Sequence, residues 1–505
     1  MNIELLKFLR TPAIVHQKKH VAEKLAILPN MWGLEVEENY WRLNDAKNER
    51  AANEYLAKVT DQLRGLLDIA ADDDAIKTLA DEVSFAVRER AGWRHLEFAE
   101  YAKRLCAGYG VRFPDYDENE GIVLRLSCNV WWLRKLRQAH AKAREIAAID
   151  AGLVHRKSNV YVSDDTLERR SHQLKRNAFL MQGVTLESAS GQRMKLADVA
   201  AAGMGNADNR RAELMTRITG FEELANKYGH KAVFVTVTCP SKMHAITKDG
   251  KVNPKYDGTK PDEAQKYLVH CWAKCRAKLA KQGINFYGLR VVEPHHDGTP
   301  HWHMIFFFKE KDKSALTGEI RFSFLREDWH EAGASENRVK FVHIKPSKGT
   351  AAGYIVKYVC KNLGGIKDEK SDETDKTSES LAGRVEAWAS TWGIRQFQQI
   401  GGHSVTVWRE LRRVSNSVAL EAGRAIFAGW QAAQRQGERK ASFALFIEAM
   451  GGLDRKPRDS LLRLDDDFVY TRGRYGMDVI HKVKGVCERF GMAEAVNNRE
   501  DWVRV

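Results

Sequence analysis

The segment HWHMIFFF carries two histidines one residue apart. In a strand His301 and His303 point to the same side while Trp302 faces away. Two imidazoles presented this way form half of a divalent-metal site. Spacing alone is not specific, since 17 histidines in 505 residues give H-x-H by chance about 0.6 times. The neighbourhood adds to the signal. Glu293 lies eight residues before His301 across the turn HHDGTP (295–300), so a hairpin there sets its carboxylate beside both rings. Two histidines and one carboxylate leave positions open on Mg²⁺ or Mn²⁺ for a phosphate oxygen. His295, His296 and Asp297 in the same turn are rival third ligands, and a paired surface or core His is the plainer reading of the histidines.

The second group is GYIVKYVCKN. Tyr354 and Tyr358, four apart, fall on nearly one face of a helix, about 6 Å apart along its axis. Lys357 and Lys361 flank that face. Two tyrosines so spaced usually pack into a core, but a lysine rim is unusual for a buried face. A tyrosine hydroxyl, with a pKa of about 10, needs activation before it attacks anything at neutral pH. A metal on the non-bridging oxygens of a phosphodiester stabilises the charge that attack builds there. A His-His-Glu metal facing a tyrosine helix therefore suits attack on DNA, giving a 5′-phosphotyrosine and a free 3′-OH. A second tyrosine on the same face can cut again while the first still holds its strand.

The elements that must position these groups are legible around them. KAVFVTVTCP (231–240) reads as a buried strand stopped by Pro240, and 247–262 as a long loop. Residues 262–282 form a helix that ends before Gly283. INFYGLRVVEP (284–294) and HWHMIFFFK (301–309) are strands joined at Asp297-Gly298. Residues 312–331 lean towards helix, 339–345 reads as a strand, and 349–362 as the tyrosine helix. The stretch 366–380 has almost no apolar residues and is expected to be a mobile charged loop. The regions divide into a mainly helical, basic part at 1–200, a central domain at 201–414, and a mainly helical part at 415–505. In the first of these, WWLRKLRQAHAKAR (131–144) is expected to be an amphipathic helix with its aromatics in the core; the sharper reading lays it on DNA phosphates.

Composition bounds the partners. The net charge of +14 points to a polyanion, of which nucleic acid is the commonest. No apolar run of about 18 residues is present, so no membrane partner is expected. Seven scattered cysteines without a C-x-x-C pair argue against a disulfide framework and a Cys-based zinc site, and the N-terminus lacks a signal peptide's apolar core. The cytoplasm is the expected compartment. Cys271 and Cys275 read as packed apolar residues.

EPHHDGTPHWH followed by GYIVKYVCKN resembles the HUH endonuclease superfamily, and more closely the phage replication gene A protein family. The likeness extends through RRAELMTRITGFEELA, FVTVTCPSKMH and NPKYDGTKPDEAQKYL, resumes at GGHSVTVWRELRR, and covers about residues 125–415. The resemblance implies an α+β fold, with a central antiparallel nicking sheet of about five strands and helices on one side. By position it makes FVTVT (234–238) the superfamily's first motif, His301 and His303 metal ligands with Glu293 as the third, and Tyr354 and Tyr358 tandem catalytic tyrosines. Lys357 and Lys361 fall where basic residues contact the scissile strand. It further implies initiation of rolling-circle replication at a single-stranded or hairpin origin, with a host helicase and the replication machinery as partners, since the chain has no G-x-x-x-x-G-K-[ST] motif of its own. A relaxase or transposase of the same superfamily is the alternative within this chemistry, although tyrosines that follow the histidines favour an initiator or transposase order. A non-catalytic single-strand nucleic-acid-binding protein is the alternative outside it, and leaves the Glu/His/His group and the tyrosine pair unexplained.

Overall fold

The structure, a computed structural model, describes residues 12–26, 28, 32–61, 67–92, 95–115, 119–344, 349–364, 378–491, 493–497 and 502–505. The chain divides into two compact units, one of residues 1–166 with 470–478, the other of residues 167–469 with 479–505. The first boundary thus falls at 166 rather than 200, inside the helix Asp164–Gly183. The charged stretch expected at 366–380 lies outside the described residues up to 377, and 378–380 open the helix Ser378–Trp392.

Up to residue 166 the first unit is mainly helical among its described residues. Its longest helix, Asn129–Asp150, buries Trp131 and Trp132 on one face, and the Trp132 indole N–H donates to the Leu126 carbonyl at 2.7 Å. The indoles of WWLRKLRQAHAKAR therefore belong to the core and are not available to stack on a base. Arg144 from the same helix forks onto Asp165, with N–O distances of 2.8 and 2.5 Å.

The second unit is built on a five-stranded antiparallel sheet. We number its strands β1 (Lys231–Val237), β2 (Phe286–Pro294), β3 (Pro300–Phe308), β4 (Val339–His343) and β5 (Phe397–Ile400). Their spatial order is β4-β1-β3-β2-β5, which puts β3 in the centre. Every residue of β3 is buried, because both faces of the sheet are covered, and this is why HWHMIFFF reads as a continuous apolar run rather than an alternation. Phe307 and Ile305 pack on the face that receives α1 (Ala207–Lys227) and α4 (Ala351–Leu363), together with Phe221 and Ile355. On the other face Phe306 stacks on Trp272 of α2 (Pro261–Lys281), and Trp302 meets Phe324 of α3 (Lys313–Leu325). Helices on both faces replace the one-sided cover expected from the resemblance. The physical reason lies in β3 itself, which has large apolar residues at alternate positions on each side; each such burial is worth about 2–3 kcal/mol. Cys271 and Cys275 lie within α2 and are buried, and burial pushes the Cys275 thiol up to about 12.

The β2–β3 hairpin turns where Asp297-Gly298 was expected to turn it. Gly298 takes a positive φ of 82°, and the His295 amide donates to the Thr299 carbonyl at 2.7 Å. Gly288 in β2 serves a different purpose: a Cβ there would sit 1.8 Å from the Ile305 carbonyl oxygen of β3, so only glycine lets the two central strands pair.

The C-terminal region departs from the expectation of helix. Helices Asn416–Glu421, Arg424–Ala433 and Phe443–Ala449 give way to strands Leu462–Gly473 and Gly476–Glu488, which form a sheet with Glu494–Val496. Trp502–Arg504 pairs instead with Thr185–Ser188. The segment DDDFVYTRGRYGMDVIHKVKG has few turn signals except Gly473 and Gly476, and its β-branched and aromatic residues favour strands over helix.

Candidate metal centre and tyrosine helix

Strand register assembles the first three groups. Glu293 of β2 lies directly opposite His301 of β3, and His303 lies opposite Thr236 of β1. Residues paired across strands share a face, and His301 and His303 share one by the two-residue repeat, so all four side chains meet on the α4 side of the sheet. Among the described residues, Glu293, His301 and His303 form the one group of three or more His, Cys, Asp or Glu side chains whose ligand atoms all lie within 4.8 Å of one another. Of the rivals, Asp297 is engaged elsewhere, whereas His295 lies beside the group. Asp297 is buried against His244 Nδ1 at 3.1 Å, and its other oxygen accepts from the Thr299 amide. His295 lies against the His301 ring, with centroids 4.1 Å apart.

The donor set fits a divalent metal ion. His301 Nε2 and His303 Nε2 are 2.8 Å apart, close to the roughly 3 Å between neighbouring ligands of an octahedral ion bound at about 2.1 Å. Glu293 Oε2 lies 3.6 Å from His303 Nε2. When Nε2 of His303 is the free lone pair, its proton sits on Nδ1, which donates to Thr236 Oγ1 at 3.2 Å and holds the ring. Burial keeps both imidazoles well below the ordinary histidine pKa, and His295 and Lys361 add to this at each ring. Both rings are thus neutral at pH 7, the form that ligates a metal.

Asp297 shows the opposite balance. Burial alone would raise its carboxyl, but His244, His295 and His296 outweigh it and hold the group well below the usual range.

The tyrosine helix α4 lies over this cluster. Thr350 caps it by accepting from the Gly353 amide, and Glu222 of α1 accepts from the Ala351 and Ala352 amides at 2.5 and 3.3 Å. These acceptors satisfy N–H groups that the first helical turn leaves open. Tyr358 stacks on His303 with ring centroids 3.7 Å apart, and on Phe234 at 5.2 Å. Tyr354 reaches only Phe234, at 6.4 Å. Both tyrosines are half-buried against the core. Lys357 Nζ sits 5.0 Å from the Tyr358 ring centroid.

Lys361 is placed differently from the sequence reading. It does not stand on an open rim for a DNA strand; it is buried, with Nζ 3.1 Å from Glu293 Oε2. The spacing explains this: positions 354, 358 and 361 follow the i, i+4, i+7 stripe of one helical face, and that face points at the sheet.

Three residues outside the expected set complete the site. Thr236 orients His303, as described. Asn362 donates to Glu293 Oε1 at 2.9 Å and to the Tyr358 carbonyl at 2.7 Å, and Gln396 donates to Asn362 Oδ1 at 2.9 Å. Thr236 and Asn362 both lie inside the quoted FVTVT and GYIVKYVCKN segments, where a polar residue between apolar neighbours was the available signal. Gln396, in RQFQQI, carried none.

A family model described as bacteriophage replication gene A protein matches residues 107–366. The chain is 39% identical over 341 residues to the replication gene A protein of Escherichia phage 186, which covers 66% of this chain and 49% of that protein. It is 33% identical over 428 residues to the replication protein of Haemophilus phage HP1, covering 83% of this chain and 52% of that one. It is 37% identical over 320 residues to a probable replication endonuclease from a prophage-like region of Salmonella typhi, covering 63% and 38%. The chain spans about half the length, or less, of these relatives. No solved structure matches it. With more than half of its residues inside the family match, the chain belongs to the bacteriophage replication gene A protein family.

Proposed function

We propose that this chain is a site-specific single-strand DNA endonuclease and ligase that initiates rolling-circle replication of a phage. The observation that carries the reading is the stacking of Tyr358 on His303, which sets a phenol against the Glu293–His301–His303 group. A bound Mg²⁺ or Mn²⁺ would supply a Lewis acid that neutralises charge on the non-bridging oxygens of the phosphodiester. The chain's own residues do the rest. Tyr358 Oη gives up its proton and forms a bond to phosphorus, while the bond from phosphorus to the 3′ oxygen breaks and that oxygen takes up a proton. The products are a 5′-phosphotyrosine and a 3′-OH primer. The phosphotyrosyl bond keeps the energy of the broken link, so rejoining needs no nucleotide. Tyr354, one turn earlier, makes the second cut that ends a round and transfers the strand. Thr236 and Asn362 hold His303 and Glu293 in place, and Phe234 packs against both tyrosine rings. The substrate is single-stranded or hairpin origin DNA in the cytoplasm of the bacterial host, and unwinding falls to a host helicase.

Single-stranded origin DNA labelled at either end, incubated with Mn²⁺ or Mg²⁺ and then with EDTA, tests this. A metal-dependent product whose 5′ side migrates with the protein, and shifts back after proteolysis, is expected. Tight binding with no covalent adduct under either metal refutes it and leaves the non-catalytic binding reading.

A further inference from the structure

A second cationic feature of the sheet-bearing unit lies apart from the metal centre. Between α1 and the segments 405–413 and 435–443 runs a groove of about 850 Å³. Arg409, Arg412, Arg413, Arg435 and Lys440 line it, against the acids Glu213 and Glu223. Two of the cations are committed within the protein. Arg409 forks onto Glu213 with N–O distances of 2.8 and 2.7 Å, and Arg413 pairs with Glu410 at 2.8 Å. Arg412, Arg435 and Lys440 are exposed, and among the described residues none of the three side chains has an ion pair or hydrogen bond. Three exposed cations on one groove set up a positive potential that attracts a polyanion.

We propose that this groove binds the sugar-phosphate backbone of a single DNA strand, as a site separate from the cleavage centre. The inference rests on the reading of the chain as a DNA-acting enzyme. The spacing of α1 supports it. One side of that helix presents Asn209, Ala212 and Thr216 to the groove, while Glu222 caps the tyrosine helix. The groove and the helix that carries Tyr354 and Tyr358 are thus both built against α1. Trp408 and Phe443 floor the groove but are buried, so recognition there runs through phosphate charge and is indifferent to base sequence.

The test uses the full chain and a fluorescein-labelled 30-nucleotide strand, with affinity measured by anisotropy from 0.05 to 1 M NaCl. Three phosphates contacted on a single strand contribute about 0.7 each to the slope of log affinity against log salt. The variant R412A/R435A/K440A is expected to lower that slope by about 2 and to weaken binding on the order of 100-fold at 0.1 M salt. R412K/R435K, which keeps the charge, is expected to retain the slope, and Glu223→Gln to tighten binding. An unchanged slope and affinity in the triple alanine variant overturns the proposal. Adduct formation by the unaltered chain separates the two readings: a normal adduct with no slope change refutes the groove alone, and a reduced slope with no adduct supports the groove while refuting the nickase.

Discussion

Glu293 has two partners that a substitution pulls apart. Its carboxylate is fully buried, 3.1 Å from Lys361 Nζ and 3.6 Å from His303 Nε2. Glu293→Gln keeps the shape and the hydrogen bond from Asn362 but removes the carboxylate charge 3.1 Å from the buried Lys361 ammonium. Removing one partner of a buried pair costs 3–5 kcal/mol, and because the Lys361 side chain keeps 11% exposure the lower end, about 3 kcal/mol, applies. For a unit of about 330 residues that is a fall of about 4 °C in melting temperature. The assay is thermal unfolding in EDTA, followed by adduct formation with Mn²⁺. Glu293→Gln/Lys361→Met removes the buried ammonium as well and is expected to recover most of the lost melting temperature, since an apolar replacement of a buried pair is close to neutral. Neither variant is expected to recover adduct formation, because on the proposed reading the third ligand is gone. Single and double variants that melt within about 2 °C of each other would refute the buried-pair argument. A double variant that forms adduct normally would remove Glu293 from the metal site.

Three further outcomes follow from the same geometry. Asn362→Ala frees Glu293 from its orienting hydrogen bond, so the Mn²⁺ concentration for half-maximal adduct is expected to rise about 10–100-fold; an unchanged requirement would make Asn362 a purely structural residue. Tyr358→Phe keeps the stack on His303 but removes the nucleophile, and is expected to lose the first cleavage by at least about 100-fold while Tyr354→Phe retains it. The double variant should form no adduct, and equal loss in the two single variants would contradict the assignment. Burial holds His230 and His403 below the ordinary histidine pKa, with Lys309 assisting at His230 and the Gly452 carbonyl opposing at His403. A lowered folded pKa means the unfolded chain binds more protons just below about 6.5, so stability is full above that pH and declines as pH falls through the folded values. Melting in EDTA is expected to drop between pH 7.5 and 5.5, and His403→Gln to shrink the drop; a pH-independent melt would contradict it.

The local pattern of the chain determined a great deal. Period-two geometry in HWHMIFFF put His301 and His303 on one face, Asp297-Gly298 set the hairpin, and the eight-residue separation brought Glu293 opposite His301. The tyrosine pair followed from helical spacing alone. These are short-range consequences of backbone geometry, and a sequence states them directly. What it could not state were contacts between segments far apart in the chain. The stripe 354, 358, 361 was visible, but whether that face looked outward or at the sheet depended on α4 docking over β1, β2 and β3, which turned Lys361 from a rim residue into the counter-ion of Glu293, 68 residues away. Thr236, Asn362 and Gln396 entered the site in the same way, through strand order and helix docking. The helices on both faces of the sheet and the strands beyond Leu462 were decided likewise, because an apolar run does not say which partner will cover it until the chain is packed.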